Sequence, residues 1–258
     1  MRVSLLQTNI VWSDPIANFH TAECLVERAK GSDLYILPEM WTTGFVTERN
    51  DIVEESDEHG LCNTFQWMRD MAHKYNAAFT GSVALRLPDG TCRNRMYFIS
   101  SDGGEIYDKR HLFTYGTEDK TFTPGNKRVI VHWRGVRFLM QVCYDLRFPV
   151  FSRNKGDYDA AIYVANWPDS RRTVWDTLLK ARAIENQCYV IGVNRVGDDK
   201  QCHYNGGSAV VDAYGRTVVM ANDDEEQVVT ATLDMEKLRK FRDKFPVLND
   251  RDNYSIHS

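Results

Sequence analysis

Two periodicities alternate along this chain, and that alternation restricts its fold more than any single residue does. After Asp14-Pro15, apolar residues recur at helical spacing as Ile16, Phe19, Ala22, Val26 and Ala29, until Gly31. Asp caps free N–H groups, Pro fits a first helical turn, and Gly ends one, so a helix is expected there. Val3 to Gln7 before it and Leu34 to Leu37 after it are short buried runs that read as strands. A second helix is predicted over Cys62 to Tyr75, with Phe65, Met68 and Ala72 on one face, followed by a strand over Ala78 to Leu85. A third helix spans Arg172 to Asn186, between the strands Ala160–Ala165 and Cys188–Val193. Gln227 to Leu233 reads as the last strand, and Asp234 starts a C-terminal helix.

Other strands follow one another directly. Arg95–Ser100 and Glu105–Lys109 flank Ser101-Asp102-Gly103-Gly104, Val129–Trp133 and Val136–Val142 flank Arg134-Gly135, and Ser208–Asp212 and Thr217–Ala221 flank Tyr214-Gly215. Tight turns join antiparallel neighbours, whereas helical crossovers join parallel ones, so the reading is α/β with mixed sheets covered by helices. The strands are too many for one open sheet. Two sheets packed face to face, with helices outside, would bury them better.

At 258 residues the chain is long enough to bury a large core, and no repeat, low-complexity tract or linker divides it, so a single domain over residues 1–258 is expected. With 32 Lys and Arg against 36 Asp and Glu, the net charge of -4 argues against a nucleic-acid binder. The acidic runs Asp51 to Glu58 and Asp223 to Glu226 read as solvated loops. MRVSLLQTNIVW has no sustained apolar stretch and reads as a strand, not a signal peptide, and no segment is long enough to span a membrane. A cytoplasmic protein is expected. None of the six cysteines forms a CxxC or stands at zinc-like spacing from a histidine, so free thiols are expected.

Three buried strands end in reactive groups: Leu34–Leu37 leads to Glu39, Glu105–Asp108 to Lys109, and Val136–Val142 to Cys143. Catalytic groups in α/β sheets gather just past strand ends. A carboxylate, an ammonium and a thiol suffice for acyl transfer through sulfur: the thiol needs a base or a nearby cation, and the tetrahedral intermediate needs donors at its oxyanion. Each residue also has a bland reading alone: a packed cysteine, a loop glutamate, a solvated lysine. Together, each closing a buried strand, they are harder to dismiss, although spacing by itself is only suggestive.

LPEMWTTGF, YDKRHLF and QVCYDLRFPVFSRN resemble the three catalytic motifs of the nitrilase superfamily, the carbon–nitrogen hydrolases, and ANWP and ARAIENQCYVIGVNRVG resemble its downstream signatures. CYDLRFPVFSRN and YVANWP are similar to the omega-amidase branch. The resemblance runs from the first strand to about Leu233. It implies a four-layer αββα sandwich and amide hydrolysis through a thioester. It further implies Glu39 as general base, Lys109 as oxyanion stabiliser and proton donor, Cys143 as nucleophile, and the Tyr144 backbone N–H as second oxyanion donor. Glu118 matches the family's second glutamate, with a surface acid beside Asp119 and Lys120 as an equal alternative. No metal or organic cofactor is required, and a homodimer or higher homo-oligomer is expected.

The branch implies a small dicarboxylate monoamide such as 2-oxoglutaramate (alpha-ketoglutaramate) or 2-oxosuccinamate. Its free carboxylate calls for a cation, and Arg supplies a bidentate fork. Arg147 stands nearest the thiol in sequence, with a structural pair to a nearby acid as its simpler reading; Arg171 and Arg172 follow ANWPDS. Tyr115, Phe45, Trp41 and Trp167 stand in loops that could wall a pocket, or pack. Arg182 and Glu185 read as structural braces. Two rivals stay open. One is a thiol amidase with a histidine base; Val142 and Tyr144 disfavour its glycine-flanked sharp elbow, and of the nearest histidines, His111 and His132, the former reads as structural. The other is a catalytically silent oligomeric scaffold; a nitrilase-family amidase or carbamoylase of other range is a nearer alternative.

Overall fold

In the first strand, β1 (Arg2–Gln7), Val3 and Leu5 face one apolar core and Leu6 faces another. The same alternation puts Leu34 and Ile36 in the first core, and Tyr35 and Leu37 in the second. A sheet buried on both faces must have different material on each side. The computed structural model, which describes residues 1–47 and 52–256, shows what that material is.

The strands, in chain order, are β1, β2 (Leu34–Ile36), β3 (Glu54–Glu55), β4 (Ala78–Arg86), β5 (Cys92–Ser100), β6 (Gly103–Asp108), β7 (Ile130–Trp133) and β8 (Val136–Val142). They continue as β9 (Ala160–Ala165), β10 (Tyr189–Asn194), β11 (Val196–Asp198), β12 (His203–Asn205), β13 (Ala209–Val211), β14 (Thr217–Met220) and β15 (Gln227–Thr232). The α-helices are α1 (Pro15–Arg28), α2 (Asn63–Tyr75), the short α3 (Glu118–Thr121) and α4 (Pro149–Ser152), α5 (Arg172–Asn186) and α6 (Met235–Lys244).

Among the described residues, one sheet has the order β15-β1-β2-β4-β5-β6, with β3 pairing β4, and the other has the order β14-β13-β10-β9-β8-β7. Each has a parallel centre, β1-β2-β4 and β8-β9-β10, with antiparallel strands outside it. Val3, Leu5, Ile36, Met96 and Phe98 of the first sheet share a core with Phe138, Met140 and Ile162 of the second. On the outer face of the first sheet, Ala22, Leu25 and Val26 of α1 and Met68 and Ala72 of α2 cover Tyr35 and Phe79. On the outer face of the second, α5 lies so close that a Cβ on Gly192 would stand 2.6 Å from Leu179 and 2.7 Å from Trp175. The layers are helix, sheet, sheet and helix, as expected.

Local chemistry explains the ends. Asp14 accepts a hydrogen bond from the Ala17 N–H and Pro15 begins α1. Helix α2 takes its cap from outside: the Glu54 carboxylate accepts from the Thr64 N–H (2.7 Å) and hydroxyl (2.6 Å). That corrects the reading of the first acidic run as solvated loop; Asp51, its first residue, lies outside the described residues. The second run is also a joint, because Glu226 accepts from the Asn9 N–H at 2.9 Å and Asp223 pairs with Arg172 at 2.7 Å. Strand β5 begins at Cys92 rather than Arg95, since Cys92 to Asn94 also pair with β4. The hairpin β11–β12 was not anticipated: Val-Gly-Asp and His-Tyr-Asn carry no apolar alternation. All six cysteines are free.

Candidate active site

Each of the three reactive side chains is delivered by a strand end that is then turned sharply. After β2, the chain bends at Pro38-Glu39, and Met40, at φ 42, donates its N–H to the Ser82 hydroxyl at 3.0 Å. After β6, Lys109 is held through both backbone groups: its N–H donates to Asn94 O and its C=O accepts from the Gly125 N–H, both at 2.9 Å. Gly125 is required there, because a Cβ would stand 2.2 Å from the Asp108 carbonyl. After β8, Cys143 itself adopts φ 46 and opens a 3-10 turn over Cys143–Arg147. A left-handed non-glycine residue is strained, and such strain persists only where its surroundings hold it. The turn at Cys143 is sharp without flanking glycines, and the cysteine itself carries the strain.

Asp145 is the holder. Fully buried, it accepts from the Val142 N–H (2.9 Å) and the Tyr107 hydroxyl (2.7 Å) on one oxygen. Its other oxygen accepts from the His111 N–H (3.0 Å) and lies 2.7 Å from His111 Nδ1. The His111 ring stacks on Phe148 at 3.9 Å, and His132 is exposed on β7, so neither histidine lines the cavity above Cys143. Behind the turn, Arg182 donates to the Leu146 carbonyl at 2.6 Å and pairs with Glu185 at 2.9 Å, a brace as expected.

The charged groups meet beneath the thiol. Lys109 Nζ lies 2.8 Å from Glu39 Oε1 and 2.8 Å from Glu118 Oε2, with all three side chains inaccessible to solvent. Glu118 is thus a buried member of the cluster and not a surface acid. Asn94 Nδ2 donates to both carboxylates, at 2.8 Å to Glu39 and 2.9 Å to Glu118. The Asn166 N–H donates to the second Glu39 oxygen at 2.9 Å, and the Phe113 N–H to Glu118 at 2.6 Å. Cys143 Sγ lies 3.9 Å from the Asn166 carbonyl. Sequence reasoning missed Asn94 and Asn166. The ANWP break marks Asn166 as a strand end, but no local pattern marks Asn94, which stands between Arg93 and Arg95 in a polar run of β5.

Electrostatics follow from burial and from this charge count. Burial pushes the Cys143 thiol well above its ordinary value, with the Glu39 and Glu118 charges adding to it and Lys109 opposing. Burial works against the Lys109 charge, but Glu118 and Glu39 outweigh it and raise its pKa. Burial raises Glu118 too, against the pull of Lys109. At neutral pH the site therefore holds a protonated thiol beside a locked ammonium.

Above Cys143 opens a cavity of about 400 Å³ lined in part by Phe45, Tyr115, Tyr144 and Trp167. The Phe45 ring centre is 5.7 Å from Lys109 Nζ, and Tyr115, 85% exposed, stands at the rim. Trp41 does not wall it; buried at 1% exposure, it packs against Phe19 and Trp67 under α1 and α2. Arg147 and Arg171 also line the cavity. Arg147 lies over Trp167 at 5.3 Å and Arg171 over Phe113 at 5.3 Å, and neither has a carboxylate partner among the described residues. The simpler reading of Arg147, a structural ion pair, is thereby corrected. Arg172 by contrast is spent on Asp176 and Asp223. Such an arrangement can attack a carbonyl with sulfur, hold the resulting oxyanion, and pair with an anionic group several bonds away.

The profile of the carbon–nitrogen hydrolase family matches residues 2–243. The chain is 44% identical to the omega-amidase YafV of Escherichia coli (strain K12) over 258 residues, 99% of this chain and 98% of that one. It is 34% identical to a 2-oxoglutaramate amidase of Bacillus subtilis (strain 168), over 96% of each chain. Among solved structures, it resembles XC1258 of Xanthomonas campestris, a CN-hydrolase superfamily protein with an arsenic adduct in its active site. That likeness has a TM-score of 0.94 and 44% identity, covering 100% of this chain and 99% of the other.

Proposed function

The chain belongs to the carbon–nitrogen hydrolase family, and from that membership we propose that it is an omega-amidase, releasing ammonia from the terminal amide of small dicarboxylate monoamides such as 2-oxoglutaramate and 2-oxosuccinamate. The observation that carries this reading is a thiol set against a buried ammonium and two carboxylates, on a cavity also lined by two arginines that have no carboxylate partner among the described residues. The first group suits amide chemistry, and the arginines suit a substrate with a free carboxylate at its other end.

In the proposed reaction, Cys143 Sγ bonds to the amide carbon while its proton passes to Glu39. A thiol held protonated needs such a base at the moment of attack. The carbonyl π pair moves to oxygen, where Lys109 Nζ and the Tyr144 N–H receive it. An ammonium has three donors; Glu39 takes one and both oxygens of Glu118 lie within reach, at 3.0 and 2.8 Å, so the proposal has Glu118 share one donor between its oxygens and the third turn to the oxyanion. Tyr144 is the second residue of a 3-10 turn, where first-turn N–H groups have no partner within the helix. Collapse breaks the C–N bond, and the proton on Glu39 goes to the departing nitrogen. Glu39 then deprotonates water, which attacks the thioester; the C–S bond breaks and the proton returns to sulfur. Glu118 keeps Lys109 charged and in place. Arg147, with Arg171 on the same cavity, binds the substrate carboxylate, and Phe45, Tyr115 and Trp167 wall the carbon chain.

An ammonia-release panel tests this: 2-oxoglutaramate, 2-oxosuccinamate, glutamine, asparagine, a nitrile and a carbamoyl amino acid. The 2-oxo monoamides should be preferred, Cys143→Ala should abolish turnover with the fold retained, and Arg147→Met should raise KM for 2-oxoglutaramate far more than for a neutral amide. Preference for the nitrile or carbamoyl compound would falsify the substrate assignment, and residual activity in Cys143→Ala would remove the nucleophile.

A further inference from the structure

Hairpin β11–β12 belongs to neither large sheet, yet its tip, Asp199 to Cys202, lines the cavity alongside Cys143. An arginine holds its root. Arg195 is fully buried, and no carboxylate pairs with it among the described residues. Its Nε donates to the Val196 carbonyl at 3.0 Å, and its Nη2 to the carbonyls of Ile10 (3.1 Å) and Asp198 (3.3 Å). Its Nη1 finds no acceptor among the described residues, and the guanidinium lies 4.6 Å from the Tyr204 ring centre. Burying a cation without a counter-charge costs free energy that an apolar filler would avoid. What an apolar filler lacks is a rigid planar fork whose donors reach two separate segments at once, here the β1–α1 connection and strand β11.

The rest of the hairpin is equally restrained. The Val196 N–H donates to Thr8 O at 3.0 Å. The Tyr204 hydroxyl donates to Asp199 Oδ2 at 2.6 Å, while Asp199 Oδ1 accepts from the N–H groups of Gln201 and Cys202, both at 2.7 Å. On the outer side, His203 stands between Asp198 (2.8 Å) and Asp224 (2.9 Å). From root to tip the hydrogen bonds run Ile10, Arg195, β11, with Tyr204 joining β12 to the tip.

We infer that hairpin β11–β12 is a preset wall of the cavity that selects substrates by size, and that Arg195 is the positioning residue that holds it over Cys143. The choice of substrates below rests on the omega-amidase reading; the geometry does not.

Two measurements on Arg195→Met, which keeps the bulk and removes the fork, test the inference. In steady-state kinetics, KM for 2-oxoglutaramate should rise about tenfold with kcat within about twofold, because Arg195 touches no reacting atom. In alkylation of Cys143, followed by peptide mass, the rate with bulky N-phenylmaleimide relative to small iodoacetamide should rise several-fold as the wall loosens. Tyr204→Phe, which removes the hydroxyl bonded to Asp199 at the tip and keeps the ring, should move both in the same direction by less, and it stands in if Arg195→Met does not fold. An unchanged reagent ratio, or a fall in kcat at constant KM, overturns the inference. If the unaltered protein releases no ammonia from any omega-amide, the omega-amidase reading fails while the reagent ratio still decides the role of the hairpin.

Discussion

Lys109 shows how a single residue takes its properties from its neighbours. In the segment Asp-Lys-Arg-His it reads as a solvated strand end, yet it is 1% exposed and bonded to two carboxylates. Charge alone predicts the behaviour of variants here. Glu118 is the largest influence holding the Lys109 pKa up, and its charge also helps to hold Cys143 up. Glu118→Gln should therefore let the ammonium lose its proton at lower pH, so the alkaline limb of the kcat/KM profile moves to lower pH. At neutral pH, kcat should fall on the order of 10²-fold, the scale of a lost oxyanion stabiliser. A pH profile that keeps its alkaline limb in place would show that Glu118 does not govern Lys109. Cys143 was legible as a candidate because it closes an apolar run; its positive φ was not, since no neighbouring glycine announces it.

At the scale of elements, the site depends on turns rather than on strands. Strand β8 aims Cys143, but the 3-10 turn after it is kept by Asp145, which gathers groups from β6, the loop after it and β8 itself. Asp145→Ala would strand a backbone N–H on Val142 and another on His111, and remove the acceptor of the Tyr107 hydroxyl. Buried unsatisfied groups cost about 1–3 kcal/mol each before relaxation, so a loss of about 3 kcal/mol is expected, read as a lower urea midpoint. Turnover should fall further than unfolding explains, because the strained cysteine would relax; an Asp145→Ala protein with full activity when folded would remove that account. Helices α1 and α2 and the strands they cover were readable from apolar spacing. Hairpin β11–β12 was not, because polar residues form it and tertiary hydrogen bonds hold it.

For the whole molecule, two sheets and their outer helices are tied at the edges by buried or half-buried ion pairs. Arg137 and Arg242 both meet Asp159 at 2.8 and 2.9 Å, joining β8 to α6, while Arg134 and Asp33 join the two sheets. Burial pushes the Asp159 carboxyl up, but Arg137 and then Arg242 more than reverse this and hold it below the usual range. Asp33 is lowered in the same way by the Arg2 N–H and Arg134 against its burial. A carboxyl depressed in the folded state adds stability that is present above its unfolded pKa, about 3.9, and is lost as pH falls through the lower folded value. The urea midpoint should thus fall as pH drops below about 4, and Asp159→Asn should start lower at pH 7 and lose less on acidification. A variant with the same acid slope as the unaltered chain would dismiss Asp159 as a contributor.

Period and punctuation were determined by sequence alone: buried strands, amphipathic helices, tight turns, and three strands ending in Glu39, Lys109 and Cys143. These features depend on neighbours within a few residues, so they survive in the bare sequence. Tertiary structure alone decided which polar groups share a site. Glu118 meets Lys109 and Asn94 bridges Glu118 to Glu39, Asp145 strains the cysteine, Arg147 has no carboxylate partner among the described residues while Arg172 is paired, and a polar hairpin reaches the cavity. Each of these joins residues far apart in the chain, and the burial and charge that set their chemistry exist only once the two sheets have closed over them.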